Sequence, residues 1–202
     1  MDIIISIILV ICGYLYGSIP FALVIGKLIY KTDVRNYGSG NLGGTNVGRV
    51  LGKKAGVAVI LLDASKALLI SLLTGYIASI LNLYSDLAYL CGLACVIGHC
   101  YPIFANFKGG KAVSTAIGFF FTINPLGAVL ALVVFFIVLK ITKYVSLSSV
   151  LASSSVLLAT PFLDISLVGK LTVAAVILLL IYRHRANLKR VKDGTESKIT
   201  WM

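Results

Sequence analysis

The sequence predicts an all-α integral membrane protein, a bundle of about seven transmembrane helices with its N-terminus outside and its C-terminus in the cytoplasm. Three observations predict it: the composition, the succession of apolar runs, and the side of those runs on which the bases fall. With 59% hydrophobic and 12% charged residues among 202, and a mean hydropathy of +1.01, the chain carries more apolar surface than a water-soluble core of this size hides. The net charge of +11 does not indicate nucleic acid as a partner, because the bases flank hydrophobic runs instead of covering a polar surface. Cys12, Cys91, Cys95 and Cys100 all lie in apolar stretches, so they read as small hydrophobes and not as a disulfide framework. Met1-Asp2-Ile3 lacks the basic start of a cleavable signal, and the run after it is expected to remain as a span. The whole chain, 1–202, reads as one transmembrane domain.

The first run covers 3–29 and leads into a basic, glycine-rich loop. Runs at 55–81 and 86–106 follow, separated by the uncharged turn Asn82-Leu83-Tyr84-Ser85. The next two, 112–123 and 126–141, are short of the roughly 20 residues that cross a bilayer. The Asn124-Pro125 break between them either joins two short tilted helices or interrupts a single span. Runs at 145–163 and 166–182 complete the set, before a basic tail. With seven spans, the segments 27–54, 107–111, 140–143 and 183–198 share one side and hold nearly every Lys and Arg. That side is expected to be cytoplasmic. The opposite loops, at 82–85, 122–125 and 162–165, hold none, and an even count of spans breaks this separation.

Two lysines depart from the pattern, Lys170 and Lys66. Lys66 follows Asp63 by three residues within the second run, so the two are expected to pair on one helix face turned toward the bundle interior. Orientation of that helix is the expected role of the pair, ahead of substrate handling.

Three basic loops carry the polar chemistry. The first reads Gly38-Ser39-Gly40-Asn41-Leu42-Gly43-Gly44-Thr45-Asn46-Val47-Gly48-Arg49. Glycine permits a positive φ and close approach, so successive amides can form an anion nest, with short polar side chains and the Arg49 fork adding donors. Taken alone, such a loop also suits a flexible connector, since it matches neither the dinucleotide fingerprint nor the P-loop. The second loop reads Gly98-His99-Cys100-Tyr101-Pro102 through Phe107-Lys108-Gly109-Gly110-Lys111, just before a helix start. Two lysines around Gly109-Gly110 are expected to offer charge and free amides to one anion, helped by the helix dipole. Positive-inside anchoring needs bases but gives no reason for the glycines. Cys95, His99 and Cys100 lack the further ligands of a metal site, and no metal is expected. The third segment, Arg183-His184-Arg185 through Asn187, Lys189, Arg190 and Lys192 to Gly194 and Glu196, anchors a helix end, and it also places His184 and Asn187 on one face. Three loops on one side that each suit phosphate oxygens point to an anionic amphiphile or its precursor.

In these three motifs the chain resembles, over essentially its whole length, the bacterial acyl-phosphate-dependent glycerol-3-phosphate 1-acyltransferases, small multispan enzymes of phospholipid synthesis. The resemblance implies transfer of a fatty acyl group from acyl phosphate to the 1-hydroxyl of glycerol 3-phosphate, giving lysophosphatidic acid and orthophosphate. It implies a site on the cytoplasmic face of the bacterial inner membrane. Acyl phosphate, glycerol 3-phosphate and membrane lipid are the partners, with no cofactor and no metal. Ser39, Arg49, Lys108, Lys111, His184 and Asn187 are then expected to hold phosphate and stabilise the transition state. Gly38, Gly40, Asn41, Thr45, Asn46, Gly109 and Gly110 are expected to support substrate binding. Two positions depart from the family pattern: Gly44, where alanine is usual, and Ala112, where glycine commonly follows the second lysine. The second of these raises a question about the backbone near Lys111. No Ser-His-Asp arrangement is legible, and two candidates stand for the general base. One is His184, whose arginine neighbours should disfavour protonation, and the other is a substrate phosphate. A carrier of phosphorylated metabolites would also want cationic loops, but its halves would repeat, and these do not.

Overall fold

The computed structural model describes residues 1–199, and among them every regular element is helical, with no strand. The helices are α1 (Asp2–Gly17), α2 (Phe21–Leu28), α3 (Gly44–Leu51), α4 (Lys53–Ile80), α5 (Leu87–Cys100), α6 (Val113–Ile123), α7 (Pro125–Thr142), α8 (Val145–Ala159) and α9 (Leu167–Lys192). Among the described residues five stretches are long and apolar enough to cross a membrane, and α1 with α2 makes a sixth, bent by 43°. The expected first span is therefore broken. Pro20 cannot supply an amide to a continuing helix and disfavours α geometry at Ile19, so α1 stops at Gly17 and α2 restarts after the proline. At 11 residues, α6 is about 16 Å long by its rise per residue, well short of a bilayer. The Asn124-Pro125 break is a true helix boundary: the Asn124 side chain accepts from the Gly127 amide at 2.7 Å, and Pro125 occupies the first turn of α7.

The chain divides into two compact units, Met1–Phe119 and a second that begins at Phe120. In the first, α1 and α5 pack with backbones nearly touching. A Cβ on Gly17 would overlap the Cys95 carbonyl, one on Gly13 would lie 2.8 Å from the Cys91 oxygen, and one on Gly98 would overlap the Tyr14 carbonyl. Small residues four apart let two apolar helices associate where lipid offers no hydrophobic driving force between them. The α3–α4 pair uses Gly44 and Gly56 in the same way, with a Cβ on Gly56 falling 2.7 Å from the Gly48 Cα. Cys91, Cys95 and Cys100 are buried and unbridged, while Cys12 is exposed on α1. In the second unit, α8 packs between α7 and α9. Its buried serines return their hydroxyls to carbonyls one turn back, Ser148 to Tyr144 and Ser149 to Val145 at 2.8 Å each. The outward faces stay apolar, as with Leu61, Leu69, Leu72 and Leu73 on α4 and Leu130, Val133 and Ile137 on α7.

Candidate active site

The first loop is built around Asn46, which is 2% exposed. Its Oδ1 accepts from the Ser39 amide at 2.8 Å, and its Nδ2 donates to the carbonyls of Val34 and Tyr37 at 3.1 and 3.3 Å. With its amide group spent inside the loop, Asn46 shapes the turn. Gly38 and Gly40 take φ of +60° and +66°, the left-handed conformation that glycine reaches without strain. The Gly40 amide bonds to the Tyr37 carbonyl at 3.0 Å. The expected nest of free amides is thus partly closed by the loop itself, and the exposed group at its tip is the Ser39 side chain. Thr45 and Arg49 lie exposed on α3. At the base of the loop, Asp33 accepts from the Arg35 guanidinium at 2.6 Å and pairs with Lys27 at 3.3 Å. The Arg35 hydrogen bonds hold the Asp33 carboxyl well below the usual carboxylate range.

The second loop differs from expectation in what its glycines do. The amides of Gly109 and Gly110 do not face outward; they donate to the carbonyls of Cys100 and His99 at 3.2 and 3.0 Å, closing the end of α5. The glycines are required by space. A Cβ on Gly109 would overlap the His99 carbonyl and Pro102, and one on Gly110 would overlap the His99 ring. The pair therefore lets the chain lie flat on α5 while exposed Lys108 and half-buried Lys111 project from its two ends. Ala112 follows at φ +68°, a left-handed position that costs an alanine and not a glycine. Asn41 donates to the Gly109 carbonyl at 3.4 Å, which brings the first loop onto the second. Leu42 and Gly109 share a small pocket with Gly17, Asp63, Lys66 and His99.

Asp63 and Lys66 pair as expected, at 2.7 Å and almost wholly buried. Lys66 also donates to the carbonyls of Gly17 and Ile19, at 3.3 and 2.6 Å, and its ammonium lies 4.8 Å from the centre of the Phe21 ring. These carbonyls lie at the broken end of α1, where the helix ladder stops; that of Ile19 also accepts from the Phe21 amide at 3.1 Å.

In the second unit, α9 runs on to Lys192, so His184 and Asn187 sit one turn apart on a continuous helix and both are buried. Nδ1 of His184 lies 2.8 Å from the Leu180 carbonyl. A carbonyl only accepts, which puts the proton on Nδ1 and makes Nε2 the basic nitrogen of the neutral ring. Asn187 donates through Nδ2 to Oε1 of Glu196 at 2.7 Å. Ser146 donates to the same oxygen at 2.8 Å, and Arg190 to Oε2 at 2.8 Å. Burial alone would raise the Glu196 carboxyl, but these three donors outweigh it and hold the group below its ordinary value.

The first unit thus brings together Gly38, Ser39, Gly40, Asn41 and Asn46 with Lys108, Gly109, Gly110 and Lys111. Thr45 and Arg49 stand on the adjoining helix, and His184 and Asn187 form a second constellation in their own unit. Reading the sequence did not single out Ser146 or the role of Glu196. An acid in a basic tail, nine residues beyond Asn187, is the signal the sequence offers. In the sequence, His99 stands out only as a possible metal ligand.

Residues 7–194 match the family model described as glycerol-3-phosphate acyltransferase. A protein of Bacillus anthracis named glycerol-3-phosphate acyltransferase 2 is 45% identical over 194 residues, 96% of this chain and 99% of that one. A glycerol-3-phosphate acyltransferase of Listeria monocytogenes is 46% identical over 97% of this chain and 98% of its own. Among solved structures, PlsY (YgiH), an integral membrane glycerol 3-phosphate acyltransferase in its glycerol 3-phosphate form, superposes with a TM-score of 0.90 at 40% identity, covering 96% of each chain. Its lysophosphatidic acid form gives 0.88 at 39% identity. Matched along nearly its whole length by model, relatives and fold, the chain belongs to the glycerol-3-phosphate acyltransferase family.

Proposed function

We propose that this protein transfers a fatty acyl group from acyl phosphate to the 1-hydroxyl of glycerol 3-phosphate, releasing orthophosphate and forming lysophosphatidic acid. The reading includes one multispan domain with seven crossings, α6 counted as one, in a bacterial inner membrane. Its N-terminus is external and its chemistry is on the cytoplasmic face. The observation that carries it is the docking of the first loop on the second through Asn41 and Gly109, which sets the loop that bears Ser39 against the segment that bears Lys108 and Lys111. The solved relative's glycerol 3-phosphate and lysophosphatidic acid forms support the acceptor and the product.

In the reaction, the hydroxyl oxygen attacks the acyl carbonyl carbon. The ester C–O bond forms, the C–O bond to phosphate breaks, and orthophosphate departs with the bonding electron pair. Acyl phosphate is a mixed anhydride with a good leaving group, so the protein's task is to hold two mutually repelling phosphates and to neutralise charge on the carbonyl and leaving oxygens. Lysine and arginine cations at Lys108, Lys111 and Arg49 suit that task, with the Ser39 hydroxyl as a further donor. His184 and Asn187 serve the same reaction in this reading. The hydroxyl proton goes either to Nε2 of His184, the basic nitrogen left by the Leu180 bond, or to a substrate phosphate oxygen. A pH-rate profile of His184→Gln against wild type separates the two, because retained activity with an unchanged profile removes the histidine.

Donor choice tests the proposal as a whole. Purified protein in detergent, given glycerol 3-phosphate, should make lysophosphatidic acid from palmitoyl phosphate without added metal or cofactor. Palmitoyl-coenzyme A should give almost none, and chelator should change little. A thioester places no anion beside its carbonyl for the lysines to neutralise. Comparable rates from the thioester would end the acyl-phosphate reading.

A further inference from the structure

The buried charges beneath the second loop have no part in the reaction just described, yet they are costly to hold in an apolar bundle. One carboxylate oxygen, Oδ1 of Asp63, meets the Lys66 ammonium at 2.7 Å and Nδ1 of His99 at 3.5 Å. Each partner reaches a different part of the site. Lys66 caps the broken end of α1 through the Gly17 and Ile19 carbonyls. His99 ends α5, and its ring fills the volume a side chain on residue 110 would need. The same residue's carbonyl accepts from the Gly110 amide at 3.0 Å. His99 therefore sets both the height and the register of the Gly109-Gly110 segment, and Asp63 fixes which way its ring faces.

We propose that Asp63 is a positioning residue for the phosphate-binding loop: by holding His99 and Lys66 together it keeps Gly110 seated on the imidazole, so that Lys108 and Lys111 are presented in one fixed arrangement. This rests on the reading of that loop as a phosphate site. The physical reason is that charged side chains on a mobile loop lose much of their value to a transition state, while a loop locked against a helix end keeps its cations in place before substrate arrives. A pair serving only to orient α4 would have no need to touch His99, and Gly110 would have no need to be bare over that ring.

The test uses the full chain in detergent with palmitoyl phosphate and glycerol 3-phosphate as substrates. His99→Gln leaves the Asp63–Lys66 pair intact and removes the ring beneath Gly110. Asp63→Leu/Lys66→Met removes both charges at once, so neither is left buried alone. Both variants are expected to unfold within about 4 °C of wild type. In each, kcat should fall on the order of tenfold or more, with KM for the two phosphate substrates changing much less. Combining either with Gly110→Ala should add little, because both lesions unseat the same loop.

A wild-type kcat in His99→Gln overturns the proposal whether or not the double variant folds, and so do effects that add fully with Gly110→Ala. The underlying reading fails differently. If Lys108→Ala and Gly110→Ala themselves leave both KM values and kcat unchanged, the loop is not a phosphate site. If they impair the enzyme while the Asp63 and His99 variants do not, only the positioning role falls.

Discussion

Asn187 donates its side-chain amide to Oε1 of Glu196 at 2.7 Å, and that carboxylate also receives Ser146 from the start of α8 and Arg190 from α9. The tail after α9 is thereby folded back, with the Ile199 amide bonded to the Lys143 carbonyl at 3.0 Å. A residue expected to serve the reaction is thus oriented by one whose role the sequence does not reveal.

Because the Glu196 carboxyl is held below its ordinary value, it contributes stability that is present above its unfolded pKa of about 4.3 and is lost as pH falls through the lower folded value. Melting temperature of the purified protein should therefore decline at acid pH, and Glu196→Gln should lack that part of the decline. At neutral pH the same substitution should cost about 2 kcal/mol, since charge-assisted bonds become neutral ones. An unchanged melting curve would detach the tail from the fold.

Lys108→Ala and Lys111→Ala should each insert and purify as folded protein and lose most activity. Removing a charged contact that strengthens in the transition state costs about 3 kcal/mol, roughly a hundredfold in rate. Steady-state rates with acyl phosphate check this, and near-wild-type turnover in both would reduce the lysines to membrane anchors.

Ala112 holds φ +68°, a left-handed conformation that favours glycine. Ala112→Gly should relieve the left-handed strain and stabilise the folded state by about 1 kcal/mol, with activity at least maintained. Thermal unfolding reads the difference directly, and a lower melting temperature would mean that the chain-entropy cost of glycine outweighs the relief.

Gly17→Ala places a methyl group onto the Cys95 carbonyl, a backbone atom that cannot turn aside. The α1–α5 contact should open, costing about 1–3 kcal/mol as in an overpacked core. The Gly17 carbonyl that Lys66 caps lies at the same point, so activity should fall with stability.

The one-sided bases predict topology. In a cysteine-free background, a single cysteine at Ser39 or Lys192 should resist impermeant thiol reagents in intact cells, while one at Ser85 should react. Reversed labelling would put the proposed site on the wrong face.

Hydropathy is a local sum, which is why the apolar runs already marked where α4, α5, α7, α8 and α9 lie. The three basic, glycine-bearing segments stand out in the same way, because residue types say which segments could hold an anion. The Asp63–Lys66 pair could be read from a spacing of three on one helix. What the sequence could not determine was how each polar group is used. Asn46 turned inward to shape its own loop, and the Gly109 and Gly110 amides went to α5 instead of outward. Lys66 found carbonyls 47 and 49 residues away, and His99 became the seat of a loop. The return of the tail onto α9 and α8 was hidden as well, since Glu196 takes its donors from both helices. A hydrogen bond is decided by which donors and acceptors packing brings within 3 Å or so, and in a helical bundle those are set by contacts between segments far apart in the chain.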